Sequence, residues 1–458
     1  MPHRTLKTLL VGCGLFILLP VHAYAVEFSR PCDSPSVFAN AAVNVVVLPY
    51  SQPAAFKETL TKSGEQLAAL VQLESMLAIA KYGSIGLVQL VGDPREGCTP
   101  DEVLPKLLGE KPGAMEALRP GGGLVLVWGR IYESGPDLFV QSFIRFVRRG
   151  VNETIDIPVA NRTLRGQLTS QAFACTPRRI AVRDLEDVQK QYTSARLLHA
   201  QPDLSSAAVT LPDGAGPLSF FITDVRGDWV QLEPMARAPG RNNRFPRGWL
   251  QARASAPDWS LRRQLPELGF VEAAVGYLAA RVPRDASTQQ RTGALTSATA
   301  ALSDYLGRWR ENAVLDEDPS APSGTAFALA VPRQLGAFIR LLKDGVNDAS
   351  LDAAQADFQR AVTLAPHSAE ARALTALTGF ALSYRRARPD QSPRPFLKDL
   401  QIALGADPSN KVLIANVVAA YDLMLSPASG TPANWSVSAA ERQELTRQRD
   451  ALKPLAGS

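Results

Sequence analysis

Leu124-Val125-Leu126-Val127-Trp128-Gly129-Arg130-Ile131 is followed by a turn at Ser134-Gly135-Pro136-Asp137 and a return over 138–147. In the return, Phe139, Gln141, Phe143 and Arg145 alternate with Val140, Ser142, Ile144 and Phe146. Two such runs around a turn predict a pair of strands, because side chains in a strand repeat with period two. Upstream, Val43 to Leu48 is a β-branched apolar run stopped by Pro49, which predicts a buried strand. Leu60, Leu67, Leu70, Val71, Met76, Leu77 and Ile79 then recur at helical spacing over 56–82. Residues 85–91 are again strand-like. A short helix is predicted over 100–108, with Pro100 at N1 and Asp101 and Glu102 favourably placed in the helix dipole. Strand, helix, strand, helix, hairpin predicts an α/β domain over 26–188.

The opening run ends Val46-Val47-Leu48-Pro49-Tyr50, and the later strand carries Val127-Trp128-Gly129-Arg130-Ile131. On these residues the region over 43–147 resembles the amino-terminal α/β domain of TolB and its relatives in CsgG and FlgO. The resemblance implies an envelope location and protein contacts, and it brings no catalytic residues.

Between 191 and 254 the chain is richer in turns. Strands are predicted over 195–200, 207–211, 218–224, 229–232 and 248–251, around Pro202-Asp203, Pro212-Asp213-Gly214 and Arg226-Gly227-Asp228. Five short strands in so short a span predict a small barrel. Gly227-Asp228-Trp229-Val230-Gln231-Leu232 and Gly248-Trp249-Leu250 resemble the two hallmark strands of bacterial SH3-like domains. The chain departs from that family by an inserted loop over 234–247, which removes any direct transfer of a ligand groove. Within the insertion Arg237, Arg241, Arg244 and Arg247 are interleaved with prolines, asparagines and Phe245. Arginine forks onto carboxylates and phosphates, so the candidate binding residues are Trp229, Trp249, Arg241, Arg244 and Arg247. The competing account makes the loop a solvated one and at least one tryptophan barrel core.

The region over 260–458 has apolar periodicity near 3.6 in segments at 266–281, 286–311, 325–343, 351–365, 368–385, 393–405 and 410–425. Two stretches, ending Ala361-Val362-Thr363-Leu364-Ala365-Pro366 and Ala403-Leu404-Gly405-Ala406-Asp407-Pro408, echo each other. Both resemble the second helix of a tetratricopeptide repeat. Their prolines stand 42 residues apart, against a usual period of about 34, and an Arg- and Pro-rich insertion over 385–395 accounts for the excess. The fold class expected is therefore multi-domain α+β: an α/β amino-terminal domain, a small SH3-like β-barrel and carboxy-terminal α-helical tetratricopeptide-like repeats.

At the start, Arg4 and Lys7 precede an apolar run that ends at Ala23-Tyr24-Ala25. A basic n-region, a short h-region and a small-x-small site predict a signal peptide over 1–25 and a periplasmic destination. Leu10-Val11-Gly12-Cys13 offers a rival lipobox, but more of the apolar run follows Cys13 than precedes it. Cleavage leaves Cys32, Cys98 and Cys175, so an oxidising compartment allows one disulfide among three possible pairs. It also removes two of the 49 basic residues and none of the 44 acids, for a net charge of +3. That mild charge argues against nucleic acid. No later stretch is apolar enough for a transmembrane helix in the mature chain.

Chemistry is hard to find. His199 and His367 have no partner at metal-ligand spacing. The glycines at 121–123 precede a strand where a phosphate loop would precede a helix. No cofactor or metal is expected. The function expected is a non-catalytic periplasmic binding or scaffold protein, with envelope proteins as partners through the helical repeats. A second reading is attachment to peptidoglycan through the SH3-like barrel. A third is an enzyme using Cys175 or acids that no motif places.

Overall fold

The computed structural model describes residues 37–51, 58–90, 98–110, 118–134, 137–168, 173–175, 177–181, 183, 198–209, 220–234, 247–251, 265, 267–283, 285–311, 323–386, 392–427 and 435–456. The signal peptide expected over 1–25, Cys32, Arg237, Arg241 and Arg244 lie outside these residues. The chain is mixed α/β, with one large mixed sheet and carboxy-terminal helices.

The sheet grows outward from three parallel strands. β1 (Val43–Ser51) lies between β2 (Ile85–Gln89) and β3 (Gly123–Ser134), parallel to both. Helix α1 (Glu58–Ala80) makes the first crossover and α2 (Pro100–Leu107) the second. β4 (Asp137–Arg148) returns antiparallel along the whole of β3, as the alternation predicts. Beyond it, β7 (Phe173–Ala174) and β8 (Arg178–Ala181) both pair with β4.

On the other side, β11 (Phe220–Arg226) pairs antiparallel with β2. The order continues through β12 (Trp229–Pro234), β13 (Gly248–Gln251), β9 (Leu198–His199) and β10 (Ala208–Val209). All five strands expected in the middle region are therefore present, and they extend the sheet of the first.

A bulge in β1 between Val47 and Tyr50 turns the Tyr50 ring onto β3 at Gly129. Any side chain at Gly129 would overlap that ring. The Tyr50 hydroxyl, 3.1 Å from Ser142 Oγ, shares a buried hydrogen bond with it.

The helices follow as antiparallel neighbours: α3 (Glu267–Arg281) with α4 (Thr288–Glu311), and α5 (Ser323–Asp344) with α6 (Asp348–Leu364). Next come α7 (Ala369–Arg385) with α8 (Arg394–Ala406), and α9 (Lys411–Leu425) with α10 (Ala439–Ala456). The two echoing sequence stretches fall in α6 and α8, the second helices of successive pairs, and Ala361 and Ala403 are fully buried there. Ser368 and Asn410, each two residues after the echoing proline, cap α7 and α9 by accepting from Ala371 and Leu413 N–H. Helix α10 has a polar sequence and buries only Leu445 among its described side chains. It is fastened by Arg394 to Glu441 at 2.8 Å and by Tyr421 Oη donating to Gln448 at 2.7 Å.

The first helix of each pair forms an inner row. Helix α3 lies on β1, β3 and β4, whereas α5, α7 and α9 close over a separate hairpin. That hairpin, β5 (Glu153–Val159) and β6 (Arg162–Leu168), was not read from the sequence. Ile155, Ile157, Val159, Leu164 and Leu168 are all buried, a contribution of about 1.5–3 kcal/mol each. A Cβ at Gly166 would come 3.1 Å from Leu374 of α7, so the bare backbone sets how closely the helix approaches.

Asn416 of α9 fixes the register. Its Oδ1 accepts from Arg165 N–H and its Nδ2 donates to Arg165 C=O, both at 2.7 Å. One side chain thus satisfies both main-chain groups of a residue on β6. Asp422, further along α9, meets Arg162 at 3.0 Å. Replacing Asn416 by Ala leaves two part-buried main-chain groups without partners. It is expected to lower unfolding stability by about 1–3 kcal/mol in urea titrations. Asn416→Asp, which keeps the acceptor and loses the donor, should not restore the wild-type value.

Candidate binding surface

Strand alternation gives the sheet two chemically different faces. Val43, Val45 and Val47 point to the helical layer, together with Leu87, Val125, Val127, Val230 and Leu250. The opposite face carries Val46, Leu48, Val88, Leu124 and Leu126, and α2 covers it with Val103, Leu104 and Leu107. On either side of that small core the face carries rings.

On the β9–β13 side it holds two of the residues expected from the sequence. The His199 and Trp229 rings meet edge to face at 5.4 Å and 87°. The Arg226 guanidinium lies 4.9 Å from the centre of the Trp249 ring, a cation–π contact. Trp249 is only 3% exposed and Trp229 is half-buried. Hence Trp249 is largely a packing residue and Trp229 offers the more accessible ring. Arg247 does not stand alone: its Nη2 lies 2.8 Å from Glu233. Gly227, at φ +59°, makes the turn that brings Arg226 opposite Trp229.

On the β3–β4 side the same face shows Trp128, Arg130 and Tyr132, paired across the strands with Phe143, Gln141 and Phe139. The sequence displays this alternation openly. Missing from it was any indication of which face the helices would leave uncovered.

A third feature lies between β6 and the starts of α7 and α9. A cleft of about 430 Å³ is lined there by Arg165, Gln167, His367, Glu370 and Asn410, among others. It adjoins the Asn416 clamp, so one inner helix already holding a strand main chain also borders open space. His199 and His367 sit in separate places, and no group of three or more His, Cys, Asp or Glu that could hold a metal occurs among the described residues.

Cys98 is disulfide-bonded, to a cysteine outside the described residues. Cys175 is free and buried. It belongs to an enclosed polar cluster with Ser142, Glu267, Arg178 and Tyr305. Burial pushes the Cys175 thiol well above its ordinary range, with the Glu267 carboxyl adding to the effect and Arg178 opposing it. Such a thiol is a poor nucleophile. Burial also raises the Glu267 carboxyl, against hydrogen bonds from its own backbone and Ser142 and the charge of Arg178. Its Oε1 has no hydrogen-bond partner among the described residues.

A raised carboxyl means that the folded chain keeps a proton which the unfolded chain releases near pH 4.3. The contribution of Glu267 is therefore fully present below that pH and is lost as pH rises through the folded value. Glu267→Gln is expected to remove this loss. Its stability relative to wild type should rise between pH 4 and pH 8 in paired denaturation curves. A constant difference would show that Glu267 has the same proton affinity folded and unfolded.

No protein-family model, curated protein or solved structure matches the chain.

Proposed function

We propose that the chain is a non-catalytic binding or scaffold protein of the bacterial envelope, holding protein partners on the inner row of its paired helices. The observation that carries this reading is the Asn416 clamp beside an open cleft. Gripping main-chain N–H and C=O is a way to hold an extended segment whatever its side chains. The polar lining of the cleft offers more such groups to a second segment. The echoing helices support a pair of degenerate tetratricopeptide-like repeats, and the α/β order supports kinship with the TolB amino-terminal type. The disulfide at Cys98 is what an oxidising compartment allows, in keeping with the leader. Cleavage after Ala25 would leave Cys32 as the cysteine available to pair with it.

A photo-reactive residue at Glu370 or Val412, both lining the cleft, should trap the same few envelope proteins in intact cells. The same residue at Leu455, on the far end of α10, should not. The whole chain is needed, because removing everything after residue 253 would strip α3 from the sheet. Trapping that is no richer at the cleft than at Leu455 would overturn the reading.

A second reading, peptidoglycan attachment through an SH3-like β9–β13 unit, is favoured by the Trp229–His199 and Arg226–Trp249 contacts. It predicts co-sedimentation with purified sacculi that Trp229→Ala weakens. Unchanged sedimentation after Arg241→Ala with Arg244→Ala would remove the inserted loop from that mechanism.

A further inference from the structure

The β5–β6 hairpin is a sheet of two strands, so among the described residues β6 has a partner strand on one side only. Main-chain groups in an antiparallel pair alternate between facing the partner strand and facing away from it. The hydrogen bonds of Asn416 settle the phase: Arg165 N–H and C=O both reach α9, so they face away from β5. The pairing runs without a bulge from Arg162 to Leu168. Gln167 is therefore the next residue to face away, with its N–H and C=O on the same edge as the pair that Asn416 holds. No described residue bonds to either of them.

Helix α9 cannot serve Gln167 as it serves Arg165. It runs antiparallel to β6, with Asp422 at Arg162 and Asn416 at Arg165. The turn that comes next carries Leu413 and the cap Asn410. The Asn410 side chain is already engaged, accepting from Leu413 N–H and donating to Asp407. What stands beside Gln167 instead is the helix cleft, which it lines with Ala373, Leu374, Leu377 and Leu413. Gln167 is half-buried, and its Oε1 is enclosed without a hydrogen-bond partner among the described residues. An amide oxygen in that state costs stability, and a ligand that donates to it recovers the loss.

An open strand edge takes an extended peptide as an added strand, with main-chain bonds giving the affinity. We infer that the β6 edge at Gln167 accepts an extended segment of a protein partner, bonded main chain to main chain. Asn416 is the stop that keeps the segment from pairing with Arg165. In either strand direction one N–H of the segment donates to Gln167 C=O, and one C=O accepts from Gln167 N–H. The inference rests on the reading of the cleft as a protein-partner site and adds how the partner is held.

The test uses the full mature chain with a photo-reactive residue at Val412, and three probes at rising concentration. They are acetyl-Thr-Val-Thr-Val-Thr-amide, the same sequence with every amide N-methylated, and acetylated pentaproline, which is extended but has no backbone N–H. Half-maximal trapping of the first is expected at about a tenth of the concentration the other two need, the scale of one good hydrogen bond. Hydrogen exchange at the Gln167 amide should slow with the first peptide and not with the others. Gln167→Met removes the enclosed oxygen and should raise the half-maximal concentration of the first peptide about threefold or more. If that variant unfolds, the ranking of the three probes on the wild-type edge still decides. Equal trapping of the three, no trapping of the first, or an unchanged Gln167 exchange rate would each overturn the inference. Envelope proteins trapped in cells alongside equal probes would overturn it alone and leave the partner reading standing. The expected ranking with no envelope protein trapped would support the edge as a peptide site and sink the partner reading.

Discussion

Helix α3 is buried at every position from Glu267 to Ala280, and the rest of the architecture depends on that burial. A helix with apolar residues all round has no solvent side. Here the sheet takes one side, α1 another and α4 a third. Two of its glycines mark how tight this is: Gly276 admits Tyr82 and Ala298, and Gly269 admits Tyr305 of α4. Because α3 is both the cover of the sheet and the first inner helix, the sheet and the helical pairs share a single apolar core running from Ala42 to Leu445.

Polar groups fix how the parts of that core are registered. Glu153, at the start of the β5–β6 hairpin, is 5% exposed and accepts from Tyr277 at 2.6 Å while pairing with Arg148 and Arg281. A buried carboxylate is tolerable only with such partners, so the hairpin, β4 and α3 must meet in one arrangement. Asn416 does the same from the far end of the inner row. Apolar burial drives the hairpin into the helices, and these few directional contacts decide where it stops.

Much of this was legible in the sequence, and what was hidden had a common cause. The strand pair at Gly123–Arg148 and the helices from Glu267 to Leu425 are local patterns, with periods of two and 3.6 residues, and their observed ends lie within about three residues of the expected ones; α10, with its polar sequence, was not read from the sequence. The β5–β6 hairpin shows only Ile155, Ile157 and Val159 in alternation, and the side chain that holds it is 251 residues away. Trp229 and Trp249 look alike in sequence. What separates them is cover, since Trp249 is nearly enclosed beside Arg226 and Trp229 is not. The same applies to the β3–β4 ladder: its rings are plain in the sequence, but their exposure depends on how far α2 reaches. Tertiary cover is a property of distant segments, which no local pattern reports.

The continuity of the sheet has a geometric consequence. β12, with Trp229, and β3, with Trp128 and Arg130, are four strand-to-strand steps apart. At about 4.8 Å a step the two ring-bearing flanks are held about 19 Å from each other. Each step also rotates the strands by about 20–25°, so over four steps the strand directions turn by about 80–100°. A stiff ligand lying along the strands of one flank would cross those of the other nearly at right angles. Engaging both flanks at once would take a chain flexible enough to turn that corner, and such a chain would gain avidity from the fixed separation. Two stiff partners would instead be received in crossed orientations, with the sheet setting the angle between them.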